Sequence, residues 1–319
     1  MVLSIGFTGC FTLFWIYIFP NNYGYNTFPQ TNFHSINSNW WCVINCLLAI
    51  FIRFYTQAKG FKMNITVLGS GTSQGVPVIG CSCTICSSSD ERDKRFRSSV
   101  LIEIDGKNIV IDTGPDFRSQ MLANHVKQVD AVLFTHEHKD HTAGLDDIRP
   151  FNFMQNEVIP VFASDRVAEA LQREYAYIFA EKKYPGAPEI DLHIIENEAF
   201  NPFKSLKVIP IRVMHGQIPV FGFRIKDFTY ITDAKTIDQI EIDKVKGTEI
   251  LIINALRLES HHSHFSLDDA LAFIDEIAPK KAYLTHISHV FGKHEEIEKM
   301  LPPGVFAAYD GLQINIPSK

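Results

Sequence analysis

An α/β fold is what the sequence predicts, on three observations. Short apolar or alternating runs, each bounded by Gly, Asp, Asn or Pro, recur from residue 63 onward. Helix-start signals fall between them. After residue 62 neither a repeat nor a low-complexity linker interrupts the pattern, so residues 63–319 read as one domain of 257 residues.

A strand pattern, residues 65–69, directly follows Met63. The next strands are expected at 100–104, 108–111 and 131–134, then at 208–211, 221–225, 229–231, 250–253 and 282–284, at least eight in all. Residues 164–183 form an amphipathic helix candidate. A second helix, Leu267–Ile277, is capped by Ser266, carries Asp269 in the capping-box position and aligns Leu267, Ala270, Leu271 and Ile274 before Pro279 stops it.

With 46% hydrophobic and 21% charged residues, the chain is neither disordered nor fibrous. A net charge of −6 without a basic tract argues against a nucleic-acid backbone as partner, so a small molecule is expected. The averages conceal a seam. Residues 1–62 contain no Asp or Glu, hold all three Trp and 9 of the 25 Phe, and leave 27 basic against 36 acidic residues to the body, a net of −9.

Three readings of that head stand open. Residues 2–19 are uncharged and apolar and reach the lower limit of a spanning helix, about 17 residues, whereas 41–54 are shorter and broken by Arg53. A membrane anchor is one reading. A secretion signal is another, although no basic n-region or small-residue cleavage site accompanies it. The third is a misplaced start, with the native enzyme beginning at Met63.

Residues 131–134 form an apolar run that delivers His136 to its end, and the following loop presents His136, His138, Asp140 and His141 within six residues. Imidazole and carboxylate suit divalent zinc, manganese, nickel or iron, and four such groups can face two cations if distant residues complete each shell. The same rule, a His or Asp at an apolar strand's end, selects His215, Asp233 and His286. Residues 110–114 bring Asp112 to a turn before Gly114, as an ordinary turn residue or as a group orienting the histidine loop.

This ordered set resembles the metallo-β-lactamase superfamily, and the resemblance covers essentially all of residues 63–319. It implies an αββα sandwich, two mixed β-sheets flanked by helices. It also implies one metal on His136, His138 and His215, another on Asp140, His141 and His286, and Asp233 bridging them, with Asp112 holding the histidine loop. Two cations about 3.5–4 Å apart lower the pKa of a shared water from about 15.7 toward about 7, which supplies hydroxide as nucleophile.

The body's three cysteines lie together as Cys81, Cys83 and Cys86. An odd, tight set is awkward for disulfides, though redox chemistry stays open. Three thiolates lack one ligand for a closed structural zinc site, and His289, three residues beyond His286, is the best fourth. This loop, with Thr285, His286, Ile287, Ser288 and His289, the opening 69–77 and the closing 309–312, resembles the phosphoribosyl 1,2-cyclic phosphate phosphodiesterases of the phosphonate-degrading carbon-phosphorus lyase pathway. That resemblance implies a further histidine at the substrate phosphate that assists the leaving group. His264 fits by its place before the capped helix, with His261 and His262 as alternatives.

The glycines of residues 69–75 lack the Lys of a P-loop and are expected to allow close backbone approach to the metal cleft. His125, His193 and His294 are expected in solvent. Residues 92–97 are expected as a charged surface loop, with an arginine meeting a phosphate as the alternative.

The function expected is a dinuclear metal-dependent phosphodiesterase for a small cyclic phosphate or phosphodiester. Two divalent ions, zinc or manganese, and one structural zinc would be its cofactors, and Asp140 and His264 its catalytic residues. The alternatives are an RNA-processing nuclease, disfavoured by the acidic body, and a non-catalytic coenzyme-biosynthesis or binding module, disfavoured because all seven ligand positions are filled. Free cysteines fit a reducing cytoplasm, with membrane association only if residues 1–62 are genuine, and a homodimer is the commonest prior.

Overall fold

The computed structural model describes residues 63–317, so the readings of residues 1–62 lie outside the described residues. The chain opens with β1 (Met63–Gly69), β2 (Ser99–Ile104) and β3 (Lys107–Ile111), which pair antiparallel in succession. Crossovers then take over. Helix α1 (Phe117–Ala123) leads to β4 (Ala131–Leu133), α2 (Lys139–Thr142) and α3 (Arg149–Gln155) lead to β5 (Ile159–Ala163), and α4 (Asp165–Glu174) and α5 (Ala176–Phe179) lead to β6 (Ile190–Ile194). Pairing from β3 to β6 is parallel, and these helices supply the crossovers that parallel neighbours need.

The second half repeats the scheme. Strands β7 (Phe200–Phe203), β8 (Leu206–His215), β9 (Ile218–Ile225) and β10 (Phe228–Ile231) are antiparallel neighbours, and β11 (Thr236–Ile237) adds to β8. Then α6 (Gln239–Val245), β12 (Ile250–Asn254), α7 (Leu267–Ile277), β13 (Lys281–Thr285), α8 (His294–Met300) and β14 (Val305–Ala307) build a parallel half onto β10. Finally β15 (Gln313–Ile316) returns to pair antiparallel with β1. The sheet orders are β15-β1-β2-β3-β4-β5-β6 and β11-β8-β9-β10-β12-β13-β14, with β7 on β8.

Strand alternation divides the side chains between cores. In β12, Ile250 and Ile252 pack between the sheets, while Leu251 and Ile253 pack with Ile242 and Val245 of α6 and Ala270 and Ile274 of α7. On the far side, Val110, Val132 and Val161 join Phe117, Phe151 and Leu171 of the other helices. Two mixed sheets flanked by helices result. The interior parallel strands β10 and β12 are buried along their whole length because both faces are covered, and each fully buried Ile or Leu contributes about 1.5–3 kcal/mol.

Helix α7 matches its expected bounds and forms the full capping box between Ser266 and Asp269. The single helix expected over 164–183 does not form. It breaks at Tyr175 (φ −113°, ψ 39°), whose hydroxyl donates to Thr142 O, and it ends at Phe179 because the polar residues 181–183 have no apolar face to bury. No helix among the described residues is long and apolar enough to cross a membrane.

Two further expectations are overturned. His294 is buried rather than solvated: it opens α8, its N–H donates to Asp93 Oδ1 at 2.6 Å, and its ring lies edge-on to Tyr309. Nor are residues 92–97 a surface loop throughout, since only Arg92 and Lys94 are exposed. Arg95 is buried and donates to Ala308 O and Ser70 Oγ, while Arg97 is paired with Asp116. Asp310 accepts from Ser70 and from Phe96 N, which locks the same segment.

Candidate metal centre

Each predicted ligand follows or ends a strand, and these strand ends meet along one edge of the two sheets. β4 leads into His136, His138, Asp140 and His141, β8 ends on His215, β10 is followed by Asp233, and β13 is followed by His286. Ligand crevices at the carboxyl ends of parallel strands are the general rule for such sheets. Asp112, Asp233 and His286 have φ of +65°, +57° and +58°. Non-glycine residues in this left-handed region cost on the order of 1–3 kcal/mol, so the surrounding contacts must hold them there.

The structure brings the seven residues together. The ring of His138 lies 4.6 Å from His136 and 5.2 Å from His215, between centroids. Ligand atoms of Asp140, His141 and His286 lie within 4.8 Å of one another, as do those of His136, His141 and Asp233, and of His215, Asp233 and His264. Asp233 is central: Oδ2 lies 3.3 Å from His141 Nε2, and Oδ1 3.4 Å from His286 Nε2 and 3.0 Å from His264 Nε2.

The rear nitrogens of four imidazoles are tethered. Asp112 Oδ2 takes His141 Nδ1–H at 2.7 Å. The same carboxylate accepts Thr135 N–H and O–H, so the Thr135 oxygen is left to accept from His136 Nδ1 at 3.0 Å. Ser263 O accepts from His215 Nδ1 at 2.7 Å. Ser98 Oγ donates to Gly71 O and accepts from His286 Nδ1 at 3.2 Å. Each of these four Nε2 atoms is thereby turned inward, the orientation that metal ligation requires. Asp112 therefore orients the histidine loop, and Gly114 lets that loop approach: a Cβ there would lie 2.1 Å from Asp140 O.

The donor set fits cations. His136 Nε2 and His141 Nε2 are buried without a hydrogen-bond partner, an arrangement that is costly unless something charged completes it. Burial, then His141, pushes the His136 imidazole well below its ordinary range. Burial would also lower His141, yet Asp140, Asp112 and Asp233 hold it well above. Burial works to raise Asp233, but His286 and His141 outweigh it and keep the carboxyl well below the usual range. Three carboxylates, Asp112, Asp140 and Asp233, gathered around His141 call for positive charge.

The cysteine cluster fits too. His289 Nδ1 lies 3.5, 3.6 and 3.5 Å from the sulfurs of Cys81, Cys83 and Cys86. Tetrahedral zinc with Zn–S of about 2.3 Å and Zn–N of about 2.0–2.1 Å places N and S about 3.6 Å apart. All three thiols are free.

Of the three candidate histidines, His264 reaches the centre, stacking on His286 at 4.9 Å. His261 stands behind it, and His262 is exposed. The expected role of the opening glycines is corrected in part. A Cβ on Gly69 would lie 1.9 Å from Arg97 O, so that glycine admits residues 95–97 rather than the cleft. The same loop does reach the centre through Thr72, whose hydroxyl donates to His286 Nε2 at 3.0 Å. Thr72, Ser98, Thr135 and Ser263 were beyond sequence reasoning because hydroxyl and carbonyl tethers have no spacing signature. Only the adjacency of Thr135 to His136 offered a hint.

A β-lactamase superfamily domain matches residues 107–287, and the chain belongs to that superfamily. A crystal structure of a new diphosphatase from the PhnP family is 39% identical to it with a TM-score of 0.75, over 80% of this chain and 97% of that one, which places the chain within the PhnP family. An octanoyltransferase of Porphyromonas gingivalis is 40% identical over 259 residues, 81% of this chain and 52% of that protein. Coenzyme PQQ synthesis protein B of Methylorubrum extorquens is 31% identical over 177 residues, 50% and 54% of the two chains. The chain spans about half the length of these curated relatives. Fold and family make it a metallo-β-lactamase-fold hydrolase.

Proposed function

We propose that this hydrolase is a phosphodiesterase for a small cyclic phosphate or phosphodiester. Two divalent cations, zinc or manganese, would be held by His136, His138 and His215 and by Asp140, His141 and His286, with Asp233 between them. The observation that carries this reading is the position of Asp233, its two oxygens directed at His141, His286 and His264 beside the partnerless His136 Nε2. When bound, paired cations supply an ionised water at neutral pH and neutralise phosphoryl oxygens.

The residues divide the remaining work. Asp112 and Thr135 keep the histidine loop oriented. Asp140, beside His141 Nε2 at 3.1 Å, keeps negative charge at the centre's floor. His264 is placed to hold a proton for the departing oxygen from Nε2. Cys81, Cys83, Cys86 and His289 would hold one structural zinc that ties the loop after β1 to the segment after β13. A small molecule is the partner, since the body carries no basic arm for nucleic acid; cytoplasmic location and a homodimer belong to the same proposal.

The PhnP-family relative's description as a diphosphatase favours one second reading, a phosphoric anhydride as substrate. Bis(p-nitrophenyl) phosphate, a ribose cyclic phosphate and a nucleoside diphosphate tested in parallel with added zinc or manganese decide between them. Chelator-sensitive turnover of the diesters, with about three metal ions per chain by elemental analysis, is expected. Turnover of structured RNA alone would overturn the proposal.

A further inference from the structure

His264 meets the centre with one ring nitrogen, and a second histidine holds the other. Nδ1 of His264 lies 3.1 Å from Nδ1 of His261. That His261 atom also faces the backbone N–H of Ser263 at 3.3 Å. A backbone amide only donates, so His261 Nδ1 is the acceptor and its own ring proton sits on Nε2. Burial, then His264 and His262, pushes the His261 imidazole down to about 4, which leaves that lone pair available at neutral pH. The contact between the two rings is therefore a hydrogen bond donated by His264 Nδ1–H.

Three more contacts fix the His264 plane. Ser263 Oγ lies 3.1 Å from its Nδ1, the His286 ring stacks on it at an interplanar angle of 17°, and His215 abuts it with centroids 4.4 Å apart. The loop carrying His261 is itself anchored, since Arg257 donates to Ser260 O at 3.1 Å. His262 packs its ring on His261 but is exposed, so it stays outside the chain of contacts.

We infer that His261 is a positioning residue: by accepting from His264 Nδ1 it keeps His264 Nε2 aimed at the oxygen that leaves phosphorus. This rests on the phosphodiesterase reading above. In that reaction water oxygen bonds to phosphorus, the ester P–O bond breaks, and the departing oxygen takes a proton while water loses one, so the sum is diester plus water to monoester plus alcohol. A proton at the departing oxygen matters for an alkoxide and little for p-nitrophenolate, which is stable as the anion.

Kinetics of the full chain on a ribose cyclic phosphate and on bis(p-nitrophenyl) phosphate test the inference. General acid catalysis contributes about 10²–10⁴-fold, and misdirecting the ring forfeits part of that. His261→Ala should lower kcat on the cyclic phosphate about 10- to 100-fold, with KM and metal content unchanged and less than about a threefold fall on the p-nitrophenyl ester. His261→Asn, whose Oδ1 replaces the acceptor, should recover most of the loss. Equal falls on both substrates, no fall on either, or an Asn variant no better than Ala at equal Tm overturns the role of His261 alone. Wild-type protein inactive on both diesters overturns the phosphodiesterase reading, and this inference with it.

Discussion

The His/Asp centre and the Cys/His cluster are both convergent sets of metal-type ligands, yet they are held in opposite ways. His136, His141, Asp233 and His286 are at most 2% exposed, sit at strand ends, and have the rear nitrogens of their imidazoles tied to Asp112, Thr135 or Ser98. The four residues of the cysteine cluster are half-buried and lie on loops. The difference follows from the task. A closed tetrahedral site needs four ligands and little else, whereas an open one must hold its geometry with a position free for water or substrate. Three left-handed backbone positions, at Asp112, Asp233 and His286, belong to the first set and none to the second.

The sharpest way to break this comparison is to remove the carboxylate shared between the two proposed metal positions. Asp233→Ala should release both active-site metals and lower kcat/KM by more than about 10³-fold, the scale of losing the principal electrostatic contribution, with circular dichroism unchanged. Elemental analysis that still finds two ions beyond the cysteine-bound one would end the bridging assignment. A smaller effect is expected one layer out. Asp112→Asn keeps the shape of the side chain but weakens the charge-assisted bond to His141 Nδ1, so metal affinity or activity should fall about 10- to 100-fold. An unchanged chelator-competition curve would mean that Asp112 only satisfies its own turn.

How much of this was legible beforehand depended on whether a residue's chemistry coincides with a one-dimensional pattern. The histidine quartet follows an apolar run, and His215, Asp233 and His286 sit at the ends of three more, so the inward-facing set could be picked by residue type and position. Strands β10, β12 and β13 were visible for the same reason. Strand β5 was not, because Pro160 removes a ladder donor and makes the run look unlike an interior strand. β6 escaped because it is a five-residue edge strand in which Ile190, Leu192 and Ile194 alternate with Asp191 and His193 but none is buried, so no core-facing run marks it. His294 looked like a surface histidine since nothing local shows that Arg95 and Tyr309, some 200 and 15 positions away, close over it. The positive φ of Asp233 and His286 was equally hidden: neither is Gly or Asn, and only the packed strand ends impose it.

The smallest effect falls on the cysteine cluster. The Cys83 thiol is lowered to about 6, first by the Cys86 backbone N–H and then by His289, while burial raises Cys86 to about 11. Cys83 therefore enters the cluster as thiolate at neutral pH, and its lowered value carries a sign for stability. A thiol depressed from 9.0 in the fold adds stability above about 9, and that contribution is lost as pH falls toward about 6. In metal-free protein, alkylation of Cys83 should reach half its maximal rate near pH 6, and that of Cys86 only at far higher pH. Cys83→Ser should lose one metal per chain and lower Tm by a few degrees, most clearly above about pH 9 and less as pH falls toward about 6, with kcat/KM within about threefold of wild type below the melting range, as a structural site predicts. If the Ser variant instead loses activity as fully as Asp233→Ala, then the link through His289 to His286 transmits catalytic geometry. The cluster would then belong to the same machine as the centre rather than to its frame.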